Sequence, residues 1–343
     1  MTETNRRVIF AKRPKGWVSD DCFAVEDAPI PELEDGDVLV RNIYMSVDPY
    51  MRGRMSDDKS YTAGFELGKV MQCGAVGEVI ESRSTKFEKG AIVTGMLNWE
   101  THTLVKGSAG LMPIDPTLAP LPYFLGVLGM PGFTAWYGLL KIGEPKEGDT
   151  VFVSAASGAV GQVVGQIAKI KGCRVVGSAG DDAKCDWCVK DCGFDACFNY
   201  KTVDSLEGAL KEHCPDGIDI YFENVGGKML DAVLTRLNPF SRIALCGLIS
   251  QYNLTEPEGI FNIRSLLVNK VKLQGFIISD HFDLQPQFIS EVAGWLKEGK
   301  MKYRVDVAEG IDSAPQAFIG MLKGENFGKQ VVRVGEDPSP RKF

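Results

Sequence analysis

The stretch Val151-Phe-Val-Ser-Ala-Ala-Ser-Gly-Ala-Val-Gly161 constrains this chain more than any other. A short run of apolar β-formers empties into small residues, and the helical pattern Gln162-Val-Val-Gly-Gln-Ile-Ala-Lys follows at once. A strand that ends so bare before a helix brings backbone amides and a positive helix N-terminus against a dinucleotide pyrophosphate. Gly158 is expected to permit the tight turn, and Gly161 the close approach of the helix to a ligand or a strand. AASGAVG is not the full GxGxxG, and by itself the spacing also fits glycines that serve only tight packing. The residues that follow weigh against that. Strands expected at Thr150–Ser154, Arg174–Ser178, Ala196–Asn199, Ile218–Glu223, Arg242–Leu245 and Lys272–Ile278 alternate with helices at 160–171, 182–192, 204–213, 227–236 and 260–269. Such alternation builds a parallel sheet covered on both faces, an α/β doubly wound architecture that binds nucleotides.

The end of the second strand decides which nucleotide. An NAD site usually carries Asp or Glu there to accept the ribose 2′-hydroxyl. This chain has Val176-Gly-Ser-Ala-Gly180, with Lys184 one helical turn later. A hydroxyl at Ser178 and a cation at Lys184 in place of the carboxylate point to a 2′-phosphate, hence to NADPH. Asp181 and Asp182 pull the other way unless they serve as helix caps.

Upstream, residues 1 to about 120 read as β-rich, with Val38-Leu-Val-Arg-Asn-Ile-Tyr, Gly74-Ala-Val-Gly-Glu-Val-Ile-Glu and Ala91-Ile-Val-Thr-Gly separated by turn residues, a pattern that suits a small barrel. At 343 residues the chain exceeds one domain of about 150. The closing strand Gly328-Lys-Gln-Val-Val-Arg-Val is expected to return to the first domain. A net charge of −7 with no dense Lys/Arg run leaves no footprint for nucleic acid. The N-terminus shows neither a secretory signal nor a membrane span, and nine scattered cysteines fit free thiols, so a cytoplasmic location is expected. Cys185, Cys188, Cys192 and Cys197 lack the paired CxxC knuckles of structural zinc sites; the first three would share a helix face as core residues.

Taken together, AASGAVGQVVGQIAKIKGCRVVG, FENVGG, CGLISQYN, LKGENFGKQVV, VDPYMRGRM, LGVLGMPGFTAWYGLL and IGEPKEGD resemble the zinc-independent medium-chain dehydrogenases/reductases. Within them the resemblance is to the leukotriene hydroxydehydrogenase/prostaglandin reductase, plant double-bond reductase and bacterial curcumin reductase branch, and it covers nearly the whole chain. It implies a GroES-like β-rich catalytic domain at 1–125 and 308–343, a Rossmann NADPH-binding domain at 126–307, a homodimer, and reduction of the C=C bond of α,β-unsaturated ketones and aldehydes. Carried over by motif, cofactor contacts would come from Ala156, Gly158, Ala159, Val160 and Gly161 at the pyrophosphate and from Lys184 at the 2′-phosphate. Tyr200, Asn224, Cys246, Gly247, Ser250, Tyr252, Phe276, Ile277, Ile278 and Asn326 would complete the site, and Tyr50 would face the substrate.

No metal is expected. Only Cys22 and Cys73 precede residue 100 and the first histidine is His102, so the zinc ligands of the alcohol dehydrogenases are missing. His102, His213 and His281 lie outside the matched motifs and are expected to be structural or at the surface. Without a Lewis acid, conjugated carbonyls are easier substrates than alcohols, because hydride added at the β-carbon leaves an enolate that needs only hydrogen-bond donors. Tyr252 is the first candidate donor and Tyr50 the second. Tyr50 equally suits packing beside Pro49 and Met51, and Tyr252 equally suits a contact to the cofactor ribose. The alternatives are a quinone oxidoreductase, which shares the AAxGxVG loop, and an NADPH-binding protein without catalysis; SQYN and VDPYMR favour the enone reductase.

Overall fold

The computed structural model describes residues 4–340. The chain divides into two units. The first comprises the residues up to Leu125, Val305–Asn326 and the chain from Gln330, and the second Gly126–Arg304 with Phe327–Lys329.

In the first unit β1 (Thr4–Phe10) pairs antiparallel with β2 (Phe23–Pro29). β3 (Val38–Ser46), covered on both faces, runs antiparallel to β4 (Gln72–Ser82), and β5 (Ile92–Asn98) extends the sheet. β6 (His102–Val105) joins β3, and the two-residue β7 (Met112–Pro113) closes on β5. The core packs around Trp99, which stacks on Phe23 and meets Phe318 edge-on. Between β3 and β4 a single turn, α1 (Met51–Arg54), starts at Tyr50.

The second unit opens with α2 (Met130–Tyr137), started by Pro131, whose missing N–H costs nothing in a first turn. Then strands and helices alternate: β8 (Thr150–Val153), α3 (Gly161–Ile170), β9 (Arg174–Ala179), α4 (Asp182–Lys190), β10 (Ala196–Asn199), α5 (Leu206–His213), β11 (Ile218–Glu223), α6 (Gly227–Leu234), β12 (Leu237–Leu245), α7 (Arg264–Val268) and β13 (Lys272–Gly275). All are paired in parallel, in the spatial order β10-β9-β8-β11-β12-β13. The chain therefore steps outward from β8 on one side and from β11 on the other. Between those two strands the order reverses, which is where doubly wound sheets open a ligand crevice at their strand C-termini.

Three element boundaries differ from the sequence expectation by three residues or more. β12 begins at Leu237 rather than Arg242. α7 does not include residues 260–263, because the amides of Phe261 and Asn262 both go to the Asp231 carboxylate at 2.7 Å instead of to helix carbonyls. β13 stops at Gly275: Phe276 leaves the sheet to pack on Tyr137, with ring centroids 5.6 Å apart, and a 3₁₀ turn begins at Ile278.

After α8 (Gln285–Lys297), β14 (Val305–Glu309) and α9 (Ala314–Leu322), the last strand β15 (Lys329–Arg333) lies antiparallel on β3, with Val331 opposite Ser46. The tail thus returns to the β-rich unit. Among the described residues no helix is long and apolar enough to cross a membrane.

Candidate functional site

The turn between β8 and α3 is as tight as its small residues suggested, but the glycines divide the work differently. Its left-handed residue is Ala155, at φ 49°, not Gly158. Gly161 is the position where no side chain fits: a Cβ there would stand 2.4 Å from the Ala155 carbonyl oxygen and 2.8 Å from the Ala156 Cα, both backbone atoms that cannot move aside. The helix N-terminus is thereby pressed onto the turn. Gly158, Ala159 and Val160 are half-buried and Ala156 is buried. In the first turn of α3 the Gln162 amide bonds back to the Gly158 carbonyl (3.2 Å) and the Val163 and Val164 amides to the Val160 carbonyl (3.0 Å each), so it is the positive helix end, with the small residues of the turn, that faces this edge. Tyr303 braces the turn by donating its phenol to the Ala159 carbonyl (3.2 Å).

Past the end of β9 stand two acids and a lysine. Asp181 caps α4, accepting the Ala183 amide at 2.9 Å, and Asp182 accepts the Asn199 side-chain amide at 2.8 Å. Both acids are thus engaged locally. Lys184 sits in the first turn of α4, only 9% exposed. Ser178 is buried with its hydroxyl inside, so it presents no polar surface to a ligand, while Tyr200 and Lys201 crowd Gly180, 3.1 Å from where its Cβ would stand.

The C-terminal ends of β8 and β11 are joined by a buried polar network, of which sequence reading singled out Asn224 alone. The Ser154 hydroxyl donates to Glu223 Oε1 (3.1 Å) and accepts from the Tyr221 phenol (3.2 Å) and the Asn224 amide (3.0 Å). The Asn224 side chain donates to the Ser154 carbonyl (2.8 Å). Burial raises the Glu223 carboxyl above the usual range, which favours its neutral form. The only sequence signal was an acid ending the apolar run Ile218-Asp-Ile-Tyr-Phe-Glu.

Beside it lies the loop after β12. Cys246, Gly247 and Tyr252 are half-buried, and Ser250 is exposed. The Tyr252 phenol oxygen accepts the Leu248 amide (3.1 Å), which folds the loop over the ring. Burial raises the Tyr252 phenol above its ordinary range and pushes the Cys246 thiol up to about 12. Phe276 and Ile277, expected on a strand, lie instead in the segment past β13, and Ile278 begins the 3₁₀ turn.

Tyr50 and Asn326 belong to the first unit. Tyr50 packs at the rim of the first core, and burial, with Asp48 nearby, also raises its phenol. Cys22 and Cys73 are buried in that core, and the His102 amide donates to the Asn5 side chain at 2.9 Å. Cys185, Cys188 and Cys192 are buried in α4 and just beyond it, and the Cys185 and Cys188 thiols bond that of Cys197. Among the described residues no group of three or more His, Cys, Asp or Glu side chains is arranged to hold a metal ion.

A β-rich unit joined to a parallel sheet in this strand order, with a bare strand-to-helix turn beside the switch point, defines a two-domain oxidoreductase. Its sequence matches the family models described as "N-terminal domain of oxidoreductase" over residues 6–114 and "Zinc-binding dehydrogenase" over residues 159–296. It is 46% identical to the 2-alkenal reductase (NADP(+)-dependent) of Nicotiana tabacum, over 97% of this chain and 98% of the relative. It is also 46% identical to the NADPH-dependent curcumin reductase of Escherichia coli, over 98% of both chains. The solved structure of CurA from Vibrio vulnificus in complex with NADPH superposes with a TM-score of 0.92 at 46% identity, covering 97% of this chain and all of that one. The chain belongs to the medium-chain dehydrogenases/reductases, in the branch of the alkenal, curcumin and prostaglandin double-bond reductases.

Proposed function

We propose that this oxidoreductase uses NADPH to reduce the C=C bond of α,β-unsaturated ketones and aldehydes. The observation that carries the cofactor half is the end of β9, where no free carboxylate stands, Lys184 occupies the first turn of α4, and Asp181 and Asp182 are spent on local hydrogen bonds. These residues fit a 2′-phosphorylated dinucleotide. Ala156, Gly158, Ala159, Val160 and Gly161 would hold its pyrophosphate, Lys184 and Tyr200 its 2′-phosphate, and Asn224 with the Cys246–Tyr252 loop the other end. NADPH supplies a hydride.

The protein's own part is to stabilise the enolate and manage one proton. Tyr252 is the first candidate, since its oxygen already accepts the Leu248 amide and its O–H stays available to donate. Tyr50 is the second. Burial keeps both phenols in the neutral, donating form. The choice of C=C over other bonds is supported by the alkenal and curcumin reductases to which the chain is similar nearly end to end. A homodimer and a cytoplasmic setting belong to the same reading.

The test follows 340 nm absorbance with NADPH, then NADH, against an enone such as 3-nonen-2-one, with parallel quinone and EDTA arms. The expected result is NADPH-preferring, EDTA-indifferent turnover to the saturated ketone. Turnover of quinone alone would transfer the protein to the quinone oxidoreductases, and tight NADPH binding without turnover would leave a cofactor-binding protein.

A further inference from the structure

We infer that Glu223 is a positioning residue that locks two loops together at the switch point of the sheet. Its side chain and its backbone hold different loops. The carboxyl Oε1 accepts the Val225 amide (2.6 Å) and the Ser154 hydroxyl (3.1 Å), and the Gly226 amide also bonds the carboxyl. The Glu223 carbonyl accepts the amides of Cys246 (2.9 Å) and Gly247 (3.1 Å). The seam then continues: the Asn224 carbonyl accepts the Ile249 amide (3.1 Å), and the Val225 carbonyl accepts the Ser250 amide (3.0 Å) and hydroxyl (2.7 Å).

One residue therefore ties β8, the loop into α6 and the loop after β12 into a single piece. The loops need such a tie. Gly226 and Gly227 both have positive φ, 78° and 52°, so the backbone entering α6 has no side chain to hold it, and only Asn224 anchors the loop from within. The Ser154 hydroxyl has no capacity left, since it donates to Glu223 and accepts from Tyr221 and Asn224. Replacing the carboxyl with an apolar group would leave that hydroxyl and the Val225 and Gly226 amides short of an acceptor in a fully buried place.

The partners here are neutral hydroxyl and amide groups that need an acceptor of the right shape, so a glutamine should serve almost as well as the acid. The inference leans on the NADPH reading only for what the two loops hold. The experiment compares wild type, Glu223→Ala and Glu223→Gln in the full chain. It measures hydrogen exchange over residues 224–227 and 246–252, NADPH titrations, and kcat and KM for NADPH at saturating enone. In Glu223→Ala, exchange over residues 224–227 should accelerate by about tenfold, with 246–252, held by main-chain carbonyls that alanine keeps, following to a smaller extent through Asn224 and Val225; KM for NADPH should rise by about tenfold, with kcat much less affected. Glu223→Gln should restore both to within about threefold.

Undisturbed loops in Glu223→Ala overturn the inference, as does a Glu223→Gln protein as loose as Glu223→Ala, which would mean that the charge matters and not the acceptor. Should Glu223→Ala fail to fold, Ser154→Ala, which removes the hub alone, is to be read by the same exchange measurement: accelerated loops support the lock and unchanged loops refute it. A protein that binds no NADPH but shows the expected exchange pattern refutes the cofactor reading and leaves the lock standing.

Discussion

Single side chains carry the proposed chemistry, and two of them can be separated by measurement. Lys184 is the cation at the end of β9. A hydrogen bond between charged groups contributes about 1.5–3 kcal/mol, so Lys184→Gln should cost on the order of 10- to 100-fold in kcat/KM for NADPH. The value for NADH should barely move, which steady-state kinetics with both cofactors will read. Tyr252 and Tyr50 divide in the same way. Tyr252→Phe removes the Leu248 amide's acceptor, a local loss of about 1 kcal/mol, and, if the phenol donates to the enolate, lowers kcat well beyond that. Tyr50→Phe should leave the NADPH dissociation constant unchanged. The sign of the pH effect follows from burial. Both phenols are raised, so the neutral donor is fully present below the unfolded value of about 10 and is lost only as pH rises through the higher folded value. An enone-reduction rate free of any phenol limb from pH 7 to 9 is the expected profile, and an alkaline fall in that window that Tyr252→Phe abolishes would contradict it.

Among the elements, α3 shows how closely the nucleotide-binding unit is packed. Its two buried glutamines act as peptide mimics. Gln162 donates to the Arg304 carbonyl (3.1 Å) and accepts the Arg304 amide (2.9 Å), while Gln166 does the same with Lys302 (2.8 and 2.7 Å). The helix thus satisfies main-chain groups of the segment that leads into β14, where the Arg304 carbonyl also accepts the Lys329 amide (3.0 Å). On another face Gly165 lies against Phe194, where a Cβ would meet the ring at 1.9 Å. Gly165→Ala should destabilise the protein by about 1–3 kcal/mol through overpacking. Phe194→Leu in the same chain should return part of that loss, a coupling that urea denaturation of the two single variants and the double variant will measure. Periodicity identified α3 as a helix, yet it could not say that Phe194, in the turn between α4 and β10, stands against Gly165.

For the molecule as a whole, the proposed homodimer has a surface to account for it. β13 is an edge strand, and the segment leading to it exposes Phe261 at 85%, Leu267 at 80% and Ile263 at 56%. Apolar side chains so exposed beside an open sheet edge mark an association surface. Leu267→Glu should convert a dimer to a monomer in light scattering after size exclusion while leaving the melting temperature of the separated chain within about 2 °C, because a residue so exposed adds little to its own fold. The architecture is written in the chain: strand and helix periods, and small residues at one strand end, specify a doubly wound sheet because each element must bury its apolar face against the next. At the end of β9 the sequence showed Lys184 and the two acids, but not that Asp181 caps α4 and Asp182 holds Asn199. The remaining features arise from contacts between distant segments. Ala155 rather than Gly158 takes the left-handed turn, Ser178 turns inward, Phe276 leaves the sheet for Tyr137, and Ser154 meets Glu223 across 69 positions of sequence. Each of these depends on which neighbour happens to stand within hydrogen-bond or van der Waals reach, and that is set by the parallel pairing of β8 with β11, not by anything written along either strand.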